Sequence, residues 1–89
     1  MTCGIYCIRN LVNNKAYIGQ SINIESRLGV HKSLLLGSRH ENCYLQSSWN
    51  KFGRDNFKFD ILLVLPNIRI ILNFVESFFI FVYNIRLLI

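Results

Sequence analysis

Gly4-Ile5-Tyr6-Cys7-Ile8-Arg9, followed by Asn13-Asn14-Lys15 and then Ala16-Tyr17-Ile18-Gly19, is the stretch whose reading decides the fold. Residues 4–9 and 16–18 read as strands, being rich in β-branched and aromatic side chains. The Asn-Asn-Lys between them supplies turn chemistry, because asparagine tolerates left-handed backbone dihedrals. The first element is therefore expected to be a β-hairpin. Alternation along the strand puts Ile5 and Cys7 on one face and Gly4, Tyr6 and Ile8 on the other. Tyr17 lies one hairpin away from Tyr6, so the two phenols can approach each other on one surface.

Beyond the hairpin, Asn23 reads as an N-cap, with Glu25 in the first turn where the helix dipole favours an acid. The helix is expected to run to about Leu36 and stop at Gly37. Ile24, Leu28 and Leu35 mark its apolar stripe, and Arg27 and His31, four apart, are neighbours at the edge of that stripe. A second helix covers about 42–52 with Gly53 as its stop and Trp49 as core anchor. Phe57-Lys58-Phe59-Asp60-Ile61 alternates and continues through Leu65, predicting a third strand that is more buried at its end. Pro66-Asn67 breaks it. A third helix is predicted from about Ile68 to Val82. Ile68, Ile71, Leu72, Val75, Phe78, Phe79 and Val82 form one wide apolar face, and Arg69, Asn73 and Glu76 a narrow polar stripe opposite. The expected fold class is α+β: a small, mostly antiparallel three-stranded sheet, made of the hairpin plus one strand, flanked by about three helices.

At 89 residues the chain makes one domain, 1–89, and its 52% hydrophobic content is ample for a single core. No segment has the Ser/Pro/Gly or charge bias of disorder. Ten Lys and Arg against five Asp and Glu give a formal net charge of +5, which points to a polyanion as the long-range partner. Three cysteines are an odd number, so a reducing intracellular compartment is expected rather than a disulfide framework, and no secretory leader is visible. The apolar last third raises the question of a membrane span. Pro66, Asn67, Arg69, Asn73, Glu76, Asn84 and Arg86 interrupt every window of roughly 20 residues, the length a spanning helix needs. Glu76 at mid-bilayer would cost roughly 2.5–3.5 kcal/mol. A buried helix closing the core is the expectation, with no membrane partner. Glu76 is the only acid after Asp60, and a lone carboxylate in so apolar a helix calls for a reason.

The polar groups that stand out are Tyr6, Tyr17, Arg27, His31, His40 and Glu76. Taken singly, each has an ordinary structural reading as a rim hydroxyl, a solvated neighbour or a solubilising charge. Their order changes the balance. Gly4-Ile5-Tyr6, then Tyr17-Ile18-Gly19, then Arg27 and His31 on the next helix, then a helical Glu76, resembles the GIY-YIG nuclease family. The likeness extends from Gly4 to about Ile80 and includes Asn14-Lys15 and the run Gln46-Ser47-Ser48-Trp49-Asn50-Lys51-Phe52-Gly53. Within the family it is most similar to the catalytic domains of intron-encoded and free-standing homing endonucleases.

The resemblance implies a divalent-metal-dependent DNA endonuclease that hydrolyses phosphodiesters with one Mg²⁺ or Mn²⁺ per active site. Glu76 matches the metal ligand; a hard ion of this kind keeps several waters and completes its shell from substrate phosphate. Arg27 matches the arginine that forks onto phosphate oxygens. Tyr6 and Tyr17 match the motif tyrosines, Tyr6 favoured as the base for the attacking water and Tyr17 as its positioning partner. An unperturbed phenol titrates near pH 10, so it needs nearby cations to act at neutral pH. His31 matches a position suited to a proton relay or a phosphate donor. His40, Lys15 and Lys32 are expected to bind substrate, and Gly4 and Gly19 to let backbone or DNA come close to the tyrosines. DNA is expected to be held mainly through its phosphates. Asn84 is a possible counterpart of the family's polar element after the Glu-bearing helix, and the domain is expected to be truncated there, without a separate DNA-binding region. The alternative reading is a catalytically inactive nucleic-acid-binding remnant on the same fold. A third is a small interaction or membrane-associated protein using its apolar end.

Overall fold

The computed structural model describes residues 1–83. Its central strand is β1 (Gly4–Asn10), paired antiparallel on one side with β2 (Ala16–Ser21) and on the other with β3 (Phe57–Val64). A strand paired on both edges and covered on both faces is buried along its length, and every β1 residue except Arg9 is buried. The hairpin turn forms as its asparagines predict. Asn14 takes the left-handed conformation at φ 64°, and the Asn10 N–H closes the loop on the Lys15 carbonyl at 2.8 Å.

Helices cover both faces of the sheet. On one side, α1 (Ile24–Leu36) and α2 (Cys43–Phe52) pack Leu35, Leu45 and Trp49 against Ile8 and Phe57, with Tyr17, Leu28, Phe52 and Phe59 around them. Trp49 stacks obliquely on Phe57 at 5.2 Å, and replacing it with alanine would cost about 3–5 kcal/mol. On the other side, α3 (Arg69–Tyr83) lays Val75 and Phe79 over Ile5, Cys7, Ala16 and Ile18, with Leu62 and Leu65 closing the cluster. Asn23 and Asn42 cap α1 and α2 through their side chains, and Gly53, at φ 87°, ends α2. Asn42 accepts from the N–H groups of Tyr44 and Leu45 at 3.0 and 3.1 Å. A short 3₁₀ turn, Arg54–Asn56, links α2 to β3. Among the described residues no helix is long and apolar enough to cross a membrane.

Three expectations are corrected. His31 does not sit at the edge of the apolar stripe of α1; it is 4% exposed, inside the buried face with Ile24 and Leu35. β3 is buried at its start, at Phe57, and exposed at its end, at Leu63 and Val64, where it is an edge strand paired on one side only. The faces of α3 are also rearranged. The sheet takes only a narrow stripe, Leu72, Val75 and Phe79, while Ile70, Phe74, Phe78 and Phe81 face outward. Asn73 and Glu76 are turned towards β2 rather than away from the sheet.

Candidate active site

β1 and β2 pair Tyr6 with Gly19 and Ile8 with Tyr17, so both tyrosines rise from the α1 side of the sheet, one pair apart on the diagonal. Tyr6 is buried, and its ring leans over β2 into the space above Gly19. A Cβ on Gly19 would come within 2.5 Å of the Tyr6 Cζ. The absent side chain at Gly19 thus lets the Tyr6 ring lie against the β2 backbone. Gly4 does something else: a Cβ there would collide with the carbonyl of Leu63 on β3, beside the register shift at Ile5/Tyr6. Its missing side chain serves strand pairing rather than access to a tyrosine.

The Tyr6 hydroxyl lies 2.7 Å from Nε2 of His31, and Nδ1 of His31 lies 2.7 Å from Nε2 of His40. The two imidazoles stack at 4.9 Å, with Tyr17 edge-on to both. Hydrogen-bond bookkeeping assigns the protons. The Asn42 N–H donates to Nδ1 of His40 at 3.0 Å, so that nitrogen accepts. A neutral His40 therefore carries its proton on Nε2 and donates it to Nδ1 of His31. His31 in turn carries its proton on Nε2 and donates to Tyr6. Protonating His31 on both nitrogens would set its Nδ1–H against the Nε2–H of His40. Burial, then the positive charges of His40 and Arg27, push the His31 pKa down to about 4. Burial also lowers His40. The pair is built to stay neutral.

Gln46 holds this arrangement at the backbone. Its Oε1 accepts from the His40 N–H at 3.0 Å, while its Nε2 donates to the Leu35 carbonyl at the end of α1 and to Asn50, both at 3.1 Å. Arg27, one turn before His31, is exposed and close enough to Tyr6 to lower its pKa by hydrogen bonding and charge. Burial outweighs that pull and leaves the phenol at about 12; Tyr17 is raised as well, again by burial first. A cleft of about 320 Å³ opens over the group, lined by Tyr17, Arg27 and both histidines together with Glu41 and Asn42.

Glu76 approaches from the other face of the sheet. It is half-buried on α3, accepts a 2.9 Å hydrogen bond from Gln20 of β2, and lies near enough to both tyrosines for its charge to raise their pKa values. It is therefore tied to the hairpin and not turned to open solvent, although it does not line the cleft. The two halves meet across β2, an edge strand, at the point where Gly19 lacks a side chain. Among the described residues no three or more His, Cys, Asp or Glu cluster as metal ligands, and the Glu76 carboxylate has no ion-pair partner. A single un-neutralised carboxylate suits a hard cation that keeps most of its waters, and not a fully caged one. Lys15 is exposed in the hairpin turn, and Lys32 lines a separate groove with Trp49, Arg54, Asp55, Phe57 and Phe59, so neither enters the cleft. Asn84 lies outside the described residues.

Residues 2–80 match the GIY-YIG catalytic domain. The chain belongs to the GIY-YIG family. Intron-associated endonuclease 1 of Enterobacteria phage T4 is 39% identical to it over 66 residues, 74% of this chain and 26% of that protein. Probable intron-encoded endonuclease 1 of Neurospora crassa is 40% identical over 58 residues, 65% of this chain and 18% of that protein. This GIY-YIG chain thus spans about a quarter or less of the length of these relatives. The solved catalytic domain of homing endonuclease I-TevI superposes with a TM-score of 0.87 at 34% identity, covering 92% of this chain and 88% of that one. A glutamate-to-alanine variant of that domain superposes at 0.86 with the same identity, covering 94% and 86%. The GIY-YIG fold and its three-stranded sheet agree with the sequence reading. Three residues that brace the site were not singled out there: Gln20, Asn42 and Gln46. Gln20 was within reach, since it follows Tyr17-Ile18-Gly19 directly and alternation places it on the face opposite Gly19, towards the helix of Glu76.

Proposed function

We propose that this chain is the catalytic domain of a DNA endonuclease of the homing type, hydrolysing phosphodiester bonds with the help of one Mg²⁺ or Mn²⁺. What carries the reading is the meeting of two phenols, a guanidinium and a neutral histidine pair on one side of β2 with an un-neutralised carboxylate on the other. Membership of the GIY-YIG family and the endonuclease relatives support it. The net charge of +5 suits a polyanionic substrate gripped through its phosphates.

Glu76 would hold the cation, which supplies Lewis-acid stabilisation of charge on the scissile phosphate and the leaving oxygen. Arg27, exposed at the cleft, forks onto the non-bridging phosphate oxygens and offsets the charge that builds there. Water attacks phosphorus and passes a proton to the Tyr6 oxygen; the P–O bond to the sugar breaks, and the leaving oxygen takes a proton from solvent. Tyr6 must be a phenolate to accept that proton. The N–H of His31 and the guanidinium of Arg27 both stabilise this form, and an approaching cation adds to them. His31 therefore supports the base as a donor rather than drawing a proton out of it. Tyr17 orients the water, and His40 acts through His31.

The test is nicking of supercoiled plasmid in Mg²⁺ or Mn²⁺ by the native chain, by Glu76→Ala and by Arg27→Ala. Nicking lost in both variants, with unchanged melting, supports the proposal. Equal cutting by Glu76→Ala refutes the role of that carboxylate. Salt-sensitive DNA binding without cleavage at any metal concentration would replace the proposal with that of a non-catalytic binder.

A further inference from the structure

Alternation turns Gln20 away from the tyrosines and towards α3. Its side-chain nitrogen donates to Oδ1 of Asn73 at 2.5 Å and to Oε1 of Glu76 at 2.9 Å. A carboxylate can only accept, so the amide must present its nitrogen here, and both of its hydrogens are then spent on α3. Asn73 and Glu76 are three apart and therefore neighbours on the helix surface. One glutamine thus fixes two side chains of α3, one turn apart, to the edge strand that also carries Tyr17 and Gly19. Three residues of extended strand, about 10 Å, separate Tyr17 from Gln20.

We propose that Gln20 is the residue that positions Glu76 for a cation, a role that rests on the reading of Glu76 as metal ligand. The chemistry of the donor is the argument. An unbranched carboxylate on a half-buried helix face has several rotamers, and with no cluster of three or more metal-ligating side chains among the described residues, what the protein offers the ion depends heavily on where this one points. A lysine or arginine at position 20 would hold Glu76 as firmly, but its charge would neutralise the carboxylate and compete with a cation. A glutamine orients one oxygen and leaves the negative charge intact. Partners of this kind, one step removed from the metal, typically govern affinity about 10- to 100-fold.

The experiment measures Mn²⁺ binding by electron paramagnetic resonance on the full chain mixed with a short duplex. Arg27→Ala is the background, so that the duplex stays uncut. Gln20→Met and Gln20→Leu remove the donors at similar length on a half-exposed position, so one of them should keep the fold. They are expected to raise the half-saturating Mn²⁺ concentration about 10-fold or more, with melting temperature and metal-free DNA affinity unchanged. Gln20→Lys is expected to weaken Mn²⁺ at least as much while still holding the carboxylate. Native Mn²⁺ binding in the Met, Leu or Lys variants, with binding lost in Glu76→Ala, overturns the role of Gln20 and leaves Glu76 as ligand. Native binding in Glu76→Ala as well overturns both.

Discussion

The ring of Tyr6 fills the place that a side chain on Gly19 would need. This relationship links the two halves of the motif: the tyrosine of the first tripeptide is seated by the glycine of the second. A phenol on the central strand would ordinarily stand above its own strand. The gap on β2 lets it lie sideways instead, carrying its hydroxyl to the sheet edge where the half-buried Glu76 is anchored by Gln20.

Gly19→Ala should therefore displace Tyr6 and not merely crowd it. Overpacking of this kind costs about 1–3 kcal/mol, and a reactive group moved by about 1 Å loses on the order of 100-fold in rate. The variant is expected to remain folded, to melt a few degrees lower, and to nick plasmid at least 100-fold more slowly. A control at Gly29, where a Cβ would meet nothing within 4 Å, should leave both quantities near native values. Calorimetry and a plasmid time course check the pair.

His31 should make stability depend on pH in a defined window. Its folded pKa is about 4, below the ordinary 6.5, so between these values the unfolded chain binds more protons than the folded one. Stability from this group is fully present above pH 6.5 and is lost as pH falls towards 4, by on the order of 2–3 kcal/mol. Urea midpoints at pH 7 and pH 4.5 measure it. His31→Gln should be less stable at pH 7 and should show a smaller loss between the two pH values. A loss identical to the native one would mean that His31 titrates normally.

Much of this architecture was legible in the sequence. The hairpin follows from local turn chemistry at Asn13 and Asn14, and the helix ends follow from Asn23, Gly37 and Gly53, all features decided within a few residues. What was not legible depends on partners distant in the chain. His31 looked like a surface neighbour because periodicity reports apolar side chains. Only the meeting with Tyr6 and His40 makes an imidazole acceptable inside the core. The orientation of α3 escapes periodicity for a related reason. A helix apolar on most sides has no unique buried face until the width of the sheet selects one, and the pull of Gln20 on Asn73 and Glu76 settles the choice.

His40→Phe isolates the tautomer that Asn42 imposes. The phenyl ring keeps the stacking with His31 but offers no N–H to its Nδ1, so His31 is free to carry its proton on either nitrogen. Long-range proton–nitrogen spectra of the native chain at pH 7 should show both histidines protonated on Nε2. In the variant, His31 should become a mixture. Tyr6 then loses a committed donor, and nicking is expected to fall about 10-fold, within the usual range for a group that assists proton transfer. A native spectrum for His31 in His40→Phe would show that the chain from Asn42 does not govern it.

Arg27→Lys tests whether the cleft needs a fork or only a charge. Both side chains are cationic at neutral pH, so long-range attraction to DNA is kept, and the slope of log affinity against log salt should stay the same. A single ammonium, however, cannot pair with two phosphate oxygens in one plane, and it reaches Tyr6 through one donor at most. Nicking should therefore drop about 100-fold while the Michaelis constant changes less than threefold, because the missing interaction matters when charge accumulates on phosphorus. Arg27→Ala should be slower still and should lower the salt slope by about one. If lysine restored the native rate, Arg27 would be acting as a point charge, and the bidentate contact to phosphate would have to be abandoned.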